Sequence, residues 1–169
     1  MKLNLGSGQR KFCARAGWLN CDSQEKWAPD LRFDMRQGLP WADPEAELVV
    51  LHHVLEHFDC TDGPALLKEC WRVLLPGGSL LVFVPDLVAL ARRWLDGGLT
   101  DYLYTVNLMG AYLGDEADRH KWGYCYRSLH EALRAAGEWK EIKPFDYRHV
   151  AGADLAQDFW ILAVEAVKS

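Results

Sequence analysis

Short apolar runs alternate along this chain with stretches whose apolar residues recur every three or four positions. "KLNL" at the start, "WLNCD" at 18–22 and "LRFD" at 31–34 read as strands. "AELVVLHHV" at 46–54 is apolar for long enough to be a central strand buried on both faces. Leu67, Cys70, Trp71 and Leu74 then follow at i, i+3, i+4 and i+7, a helical stripe that "LLPGG" stops. "SLLVFVP" at 79–85 is another buried strand. Past Pro85, the residues Leu87, Leu90, Ala91 and Trp94 keep helical spacing up to a pair of glycines. Ser128-Leu129-His130-Glu131 has the form of a capping box with Ser128 as cap, opening a helix that runs through Leu133 and Ala136 to Gly137. "WKEIKP" and "DFWILAVEAVK" are the last strands. From about Thr100 to Gly123 no period is visible, and an irregular segment of that length inside a compact unit is usually functional.

The pattern therefore predicts seven strands, the first five alternating with helices or short connections, which is the signature of a parallel α/β sheet. The last two are separated by a loop without helical spacing, so that pair is expected to be antiparallel, since a parallel crossover needs more chain. Between Gly8 and Asp22 there is no room for a full helix and a strand, so the first helix is expected to be a turn or less. At 169 residues the chain suits a single domain, 1–169, with one core.

Composition narrows the chemistry. A net charge of −5 argues against a nucleic-acid-binding surface, which needs clustered Lys and Arg. No apolar run reaches the length of a membrane span, and the first residues lead directly into a strand with no signal-peptide pattern. Five cysteines, an odd number without a C-x-x-C pair, favour reduced thiols and a cytoplasmic setting.

The chemistry-bearing residues begin at Gly6-Ser7-Gly8. Closely spaced glycines after a strand permit a tight turn and let a ligand lie against the backbone. The dinucleotide fingerprint needs a third glycine at position 11, where this chain has Lys11. Asp22 closes the second strand, where a carboxylate can accept both hydroxyls of a ribose. Asp34 closes the third, where it could accept from an adenine amino group. Together with the glycine turn they point to an adenosine site, without separating one adenosine cofactor from another. In "HHVLEHF", His53 and His57 are four apart beside Glu56, but the order H-E-x-x-H is absent and no third ligand has an obvious spacing, so no metal site is expected. In "DRHKWGYCYRSL", His120 has a pKa suited to general-base work, and Trp122, Tyr124 and Tyr126 could form a planar apolar wall; packing of that loop onto the core is an equal alternative.

The order of "LNLGSG", "WLNCD", "LPWADPEAELVVLHHVLEHF", "LLKECWRVLLPGGSLLVFVPDL" and "HKWGYCYRSLHEALRAAG" resembles class I S-adenosylmethionine-dependent methyltransferases of the type 11 group, over nearly the whole chain. The resemblance implies a three-layer, Rossmann-like, seven-stranded sheet, mostly parallel with an antiparallel last strand, and S-adenosyl-L-methionine as cofactor. Asn4, Leu5, Gly6, Ser7 and Gly8 would surround the methionine portion of that cofactor, and Asp22 would hold its ribose. Asp34 and Met35 would flank the adenine, and His52 and His53 would line the site after the fourth strand. Two departures stand out: Gln9-Arg10 replaces a further glycine, and the chain starts at the first strand rather than at a covering helix, so the site is expected to be open. The implied activity is methyl transfer to an oxygen or nitrogen of a small molecule or glycan, with His120, Tyr124 and Asp86 as candidate catalytic residues. Rival readings are a cofactor-binding partner subunit without catalysis, favoured by the missing cover, and a nicotinamide-dependent oxidoreductase, disfavoured by the absent third glycine.

Overall fold

The computed structural model describes residues 1–12, 14–111, 116–146 and 160–169. The strands are β1 (Lys2–Leu5), β2 (Trp18–Asp22), β3 (Leu31–Arg32), β4 (Ala46–His52), β5 (Leu74–Pro85), β6 (Trp139–Pro144) and β7 (Ile161–Lys168). They form one sheet in the order β3-β2-β1-β4-β5-β7-β6. The first five pair in parallel, and β7 runs antiparallel to both β5 and β6. The strand order reverses between β1 and β4, and the carboxyl ends beside such a switch point are where open α/β sheets bind ligands.

The α-helices are α1 (Asp62–Val73), α2 (Leu87–Leu95), α3 (Asp101–Met109) and α4 (Tyr126–Ala136). Leu66, Leu67 and Cys70 of α1 meet Leu129 and Leu133 of α4 in a cluster that also takes Leu3, Leu51 and Val164 from the sheet. The opposite face carries a smaller cluster of Val50, Phe83 and Ala163, with Phe12, Trp18 and Phe145 packed against it. Among the described residues between β1 and β2 the one helical element is a 3-10 turn at Ala14–Ala16, in keeping with the short connection.

Three expectations are corrected. The stretch 100–123 contains α3, started by Thr100, whose hydroxyl accepts from the Leu103 N–H at 3.2 Å. No residue of α3 is buried, so it has no apolar stripe for the sequence to display. It is held instead to α2, where Trp94 stacks on Tyr104 at 4.7 Å and donates to Asp101 at 2.8 Å. The helix α4 begins before Ser128: Cys125 is the cap, and the Ser128 hydroxyl reaches back to accept from the Cys125 N–H at 3.0 Å. "LLPGG" ends α1 but also lies within β5, where Ala46 pairs with Leu74 and Leu48 with Ser79, leaving the residues between as a bulge. A side chain at Gly78 would meet the carbonyls of Leu75, Ala46 and Glu47 at 2.9–3.1 Å, which is why glycine stands there. Of "DFWILAVEAVK", Asp158 and Phe159 lie outside the described residues.

Candidate functional site

At the carboxyl end of β1 the chain turns sharply, with Gly6 at φ 66° and Gly8 at φ 48°. Asn4 and Leu5 are buried below this turn, and the Asn4 amide donates to the Arg10 carbonyl at 2.7 Å and to the Asn20 side chain at 2.9 Å. Asn4 thus braces the loop from beneath. The Ser7 N–H donates to the Cys21 carbonyl at 2.9 Å, fixing the turn to β2. Asp22 completes the arrangement: its Oδ2 accepts from the Gly8 N–H and its Oδ1 from the Gln24 N–H, each at 2.9 Å.

Above the turn lies a cleft of about 200 Å³. Gly6, Gly8, Asp22, Asp34, Met35 and His53 line it, so the structure brings six of the ten expected cofactor residues to one surface. Asn4, Leu5 and Ser7 support it from below. Asp34 caps the 3-10 turn at Met35–Gln37 and pairs with Arg36 at 2.9 Å, which holds its carboxyl below the usual carboxylate range.

His52 is not among the lining residues. Its ring stacks on Phe83 at 5.0 Å, and its Nε2 accepts from the Arg10 guanidinium at 2.7 Å. Burial, then the neighbouring His53 and Arg10, push its pKa down to about 3. The unfolded chain therefore binds a proton that the folded chain refuses. Stability is full above the ordinary histidine value of 6.5 and falls as pH drops from there towards about 3. A urea midpoint measured at falling pH should decline over that window, and the decline should shrink in His52→Gln, which keeps an acceptor for Arg10.

His53 follows β4 with φ 55°, an uncommon backbone for a non-glycine, and its Nδ1 lies 2.8 Å from Glu56 Oε1. The far wall comes from the late loop: Ala117, Asp118 and Lys121 line the cleft with His57 and Phe58. The Glu56 carbonyl holds this loop by accepting from the Lys121 and Trp122 N–H groups at 2.7 and 3.2 Å. His120 is placed behind His57, with ring centroids 5.0 Å apart, and burial pushes its pKa down, so the imidazole is neutral.

Tyr124 and Asp86 are brought together, but not into the cleft lining. They form an isolated bridge between loop and sheet. Tyr124 is 3% exposed, burial pushes its hydroxyl up to about 12, and that hydroxyl lies 3.0 Å from where a side chain on Gly63 would begin. The Asp86 carboxylate caps α2, accepting from the Val88 and Ala89 N–H groups at 2.9 and 3.3 Å. The first is a packing group here and the second a helix cap.

Sequence reasoning passed over Gln24, Trp27, Arg36, Val54 and Phe58, which also line the cleft. Their one legible signal was proximity in sequence to Asp22, Asp34 and His52.

An adenosine cofactor with a charged amino-acid tail fits these residues. A side chain built on Gly8 would meet nothing within 4 Å, so its backbone faces open space. Two buried polar atoms beside the cleft, Ser7 Oγ and Gln24 Oε1, have no partner among the described residues. Both Asp22 oxygens keep a lone pair for a sugar hydroxyl. The strand order, parallel up to β5 and antiparallel at β7, is that of the S-adenosylmethionine-dependent methyltransferase fold.

Comparison with known proteins agrees. Residues 10–82 match the family model described as a methyltransferase domain. A Mycolicibacterium smegmatis protein with the name "Probable S-adenosylmethionine-dependent methyltransferase" is 39% identical over 61 residues, which cover 34% of this chain and 23% of that relative. The chain thus spans under a quarter of that relative's length. A SAM-dependent methyltransferase structure from Thermotoga maritima superposes with a TM-score of 0.65 at 15% identity, over 99% of this chain and 81% of that one. Human N-acetylserotonin methyltransferase in complex with SAM gives a TM-score of 0.61 at 21% identity, over 99% of this chain and 47% of the other. No helix among the described residues is long and apolar enough to cross a membrane.

Proposed function

We propose that the chain binds S-adenosylmethionine in the cleft and transfers its methyl group to an oxygen or nitrogen of a small molecule or glycan. The observation that carries this reading is the convergence of the Gly6–Gly8 turn, Asp22 and Met35 at the carboxyl ends of β1 to β3. The cofactor supplies a methyl group made electrophilic by its sulfonium. Gly6 and Gly8 give close backbone approach for its amino-acid portion, Asp22 accepts from the ribose, and Met35 and Trp27 offer apolar surface for the base. Phe58 and His57 close the side away from the turn and reduce water at the reacting centre. His120, neutral and in ring contact with His57, serves the acceptor side, where a proton leaves a hydroxyl acceptor. Most of the rate gain then comes from alignment of acceptor and cofactor.

Incubation with methyl-labelled S-adenosylmethionine and a panel of alcohols, phenols, amines and sugars tests this reading. Label should appear on a hydroxyl or amine of at least one class. Stoichiometric cofactor binding without label transfer across the panel would instead support the non-catalytic partner.

Asp22→Ala should weaken S-adenosylhomocysteine binding by roughly 1–3 kcal/mol, because ribose hydroxyls and the Gly8 N–H both lose their acceptor. Titration of a variant with a native melting curve measures this. Unchanged affinity would remove Asp22 from the site.

A further inference from the structure

We infer that Glu56, His57 and His120 form a binding site for a divalent transition-metal cation of the zinc type. One carboxylate oxygen and one nitrogen from each imidazole lie within 4.8 Å of one another. Ligands in a tetrahedral zinc site stand roughly 3.4 Å apart, given bonds of about 2.1 Å, so side-chain shifts of about 1 Å would close the set.

The hydrogen bonds around the cluster leave the right atoms free. Glu56 is 1% exposed, and its Oε2 has no partner among the described residues. A buried carboxylate oxygen without a partner is costly, and a cation repays that cost. Its Oε1 is already oriented by His53 Nδ1 at 2.8 Å. His57 Nδ1 lies 3.0 Å from the Arg119 carbonyl, which can only accept, so Nδ1 carries the proton and Nε2 keeps its lone pair. The His120 ring stands 5.0 Å from the His57 ring, and a neutral imidazole keeps a lone pair on one of its nitrogens. An imidazole anchored to a carbonyl through one nitrogen, as His57 is, beside a carboxylate held by a further donor, is the outer arrangement of metal-ligating groups.

The sequence hides this site because its third ligand lies 63 positions beyond His57, and only the Glu56 carbonyl's grip on the Lys121 and Trp122 N–H groups carries it there. Two histidines and one carboxylate leave a coordination position open. His57 also lines the cleft, so a ligand in that position lies beside the candidate cofactor site. A ligated His120 would act on an acceptor hydroxyl through the cation rather than as the base itself.

The test is calorimetric titration of chelator-treated protein with Zn²⁺, with Co²⁺ as a spectroscopic probe. Wild type should bind one Zn²⁺ per chain and give a Co²⁺ visible spectrum of low coordination number. His57→Ala, His120→Ala and the near-isosteric Glu56→Gln should each weaken Zn²⁺ binding at least tenfold, with native melting curves checked for each. Cys60→Ser should bind as wild type does, excluding a site on that exposed thiol. Absence of Zn²⁺ binding in wild type, or equal affinity in the folded histidine and Glu56 variants, overturns the inference. Titrating the same samples with S-adenosylhomocysteine keeps the readings separate: its binding without Zn²⁺ binding sinks only the metal site, and the converse sinks only the methyltransferase reading.

Discussion

Gly6→Val should abolish S-adenosylhomocysteine binding. Gly6 sits at φ 66°, in the left-handed region that costs an L-residue roughly 1–2 kcal/mol and a β-branched one more. A side chain there would also start 2.5 Å from Val54 Cγ2 and 3.2 Å from its Cγ1. Val54 is buried and lines the cleft, so relief of that contact pushes it into the cofactor's space or shifts the turn that positions the Gly8 N–H. Both routes damage the site. Gly6→Ala should weaken binding by the same mechanism and is the milder variant if valine compromises folding. Far-UV circular dichroism and a melting curve establish that each variant is folded before titration. Wild-type affinity in a folded Gly6→Val would make the opening stretch a turn and nothing more.

In metal-free protein, His120→Ala should lower turnover by roughly 10²–10⁴-fold, the usual contribution of a proton acceptor that acts directly or through one water, while S-adenosylhomocysteine affinity stays near wild type. The histidine is behind His57 and does not line the cleft, so it has no contact through which to hold the cofactor. Burial pushes its pKa below 6.5, against a raising influence from Glu56. The acid limb of the pH–rate profile should therefore fall below the ordinary histidine value, and that limb should vanish in the variant. A variant that loses cofactor affinity and turnover together would place His120 in structural support of the site instead. With Zn²⁺ bound, the same substitution lowers turnover by weakening the cation site, and the histidine acid limb is absent from wild type.

How far the sequence carried the reading depends on the kind of signal. The runs at 48–51 in β4 and 80–84 in β5 are apolar without a break, and α1 and α4 present buried stripes, so period and length were enough. Asp22 was legible because β2 ends on it, where the apolar run stops; Asp34, expected to close the third strand, lies two residues beyond the end of β3 as the cap of the next turn. What could not be read were features made by long-range contact. The helix α3 buries nothing and so leaves no stripe, and the start of α4 depends on a cysteine cap that composition does not favour. Tyr124 looked like an acceptor wall because an aromatic in a mixed-charge loop has the same pattern whether it faces a ligand or the core; at 3% exposure it is part of the core. His120 was visible as an ionisable residue in that loop, but its pairing with His57 and Glu56 exists only once the loop folds back.

The measurement that tests the central claim most directly is calorimetric titration of the wild-type chain with S-adenosylhomocysteine and, separately, with NAD. One S-adenosylhomocysteine per chain should bind, with the affinity lost in Gly6→Val and reduced in Asp22→Ala, and NAD should produce no saturable heat. Saturable binding of NAD with none of S-adenosylhomocysteine would contradict the account and give the cleft to an oxidoreductase.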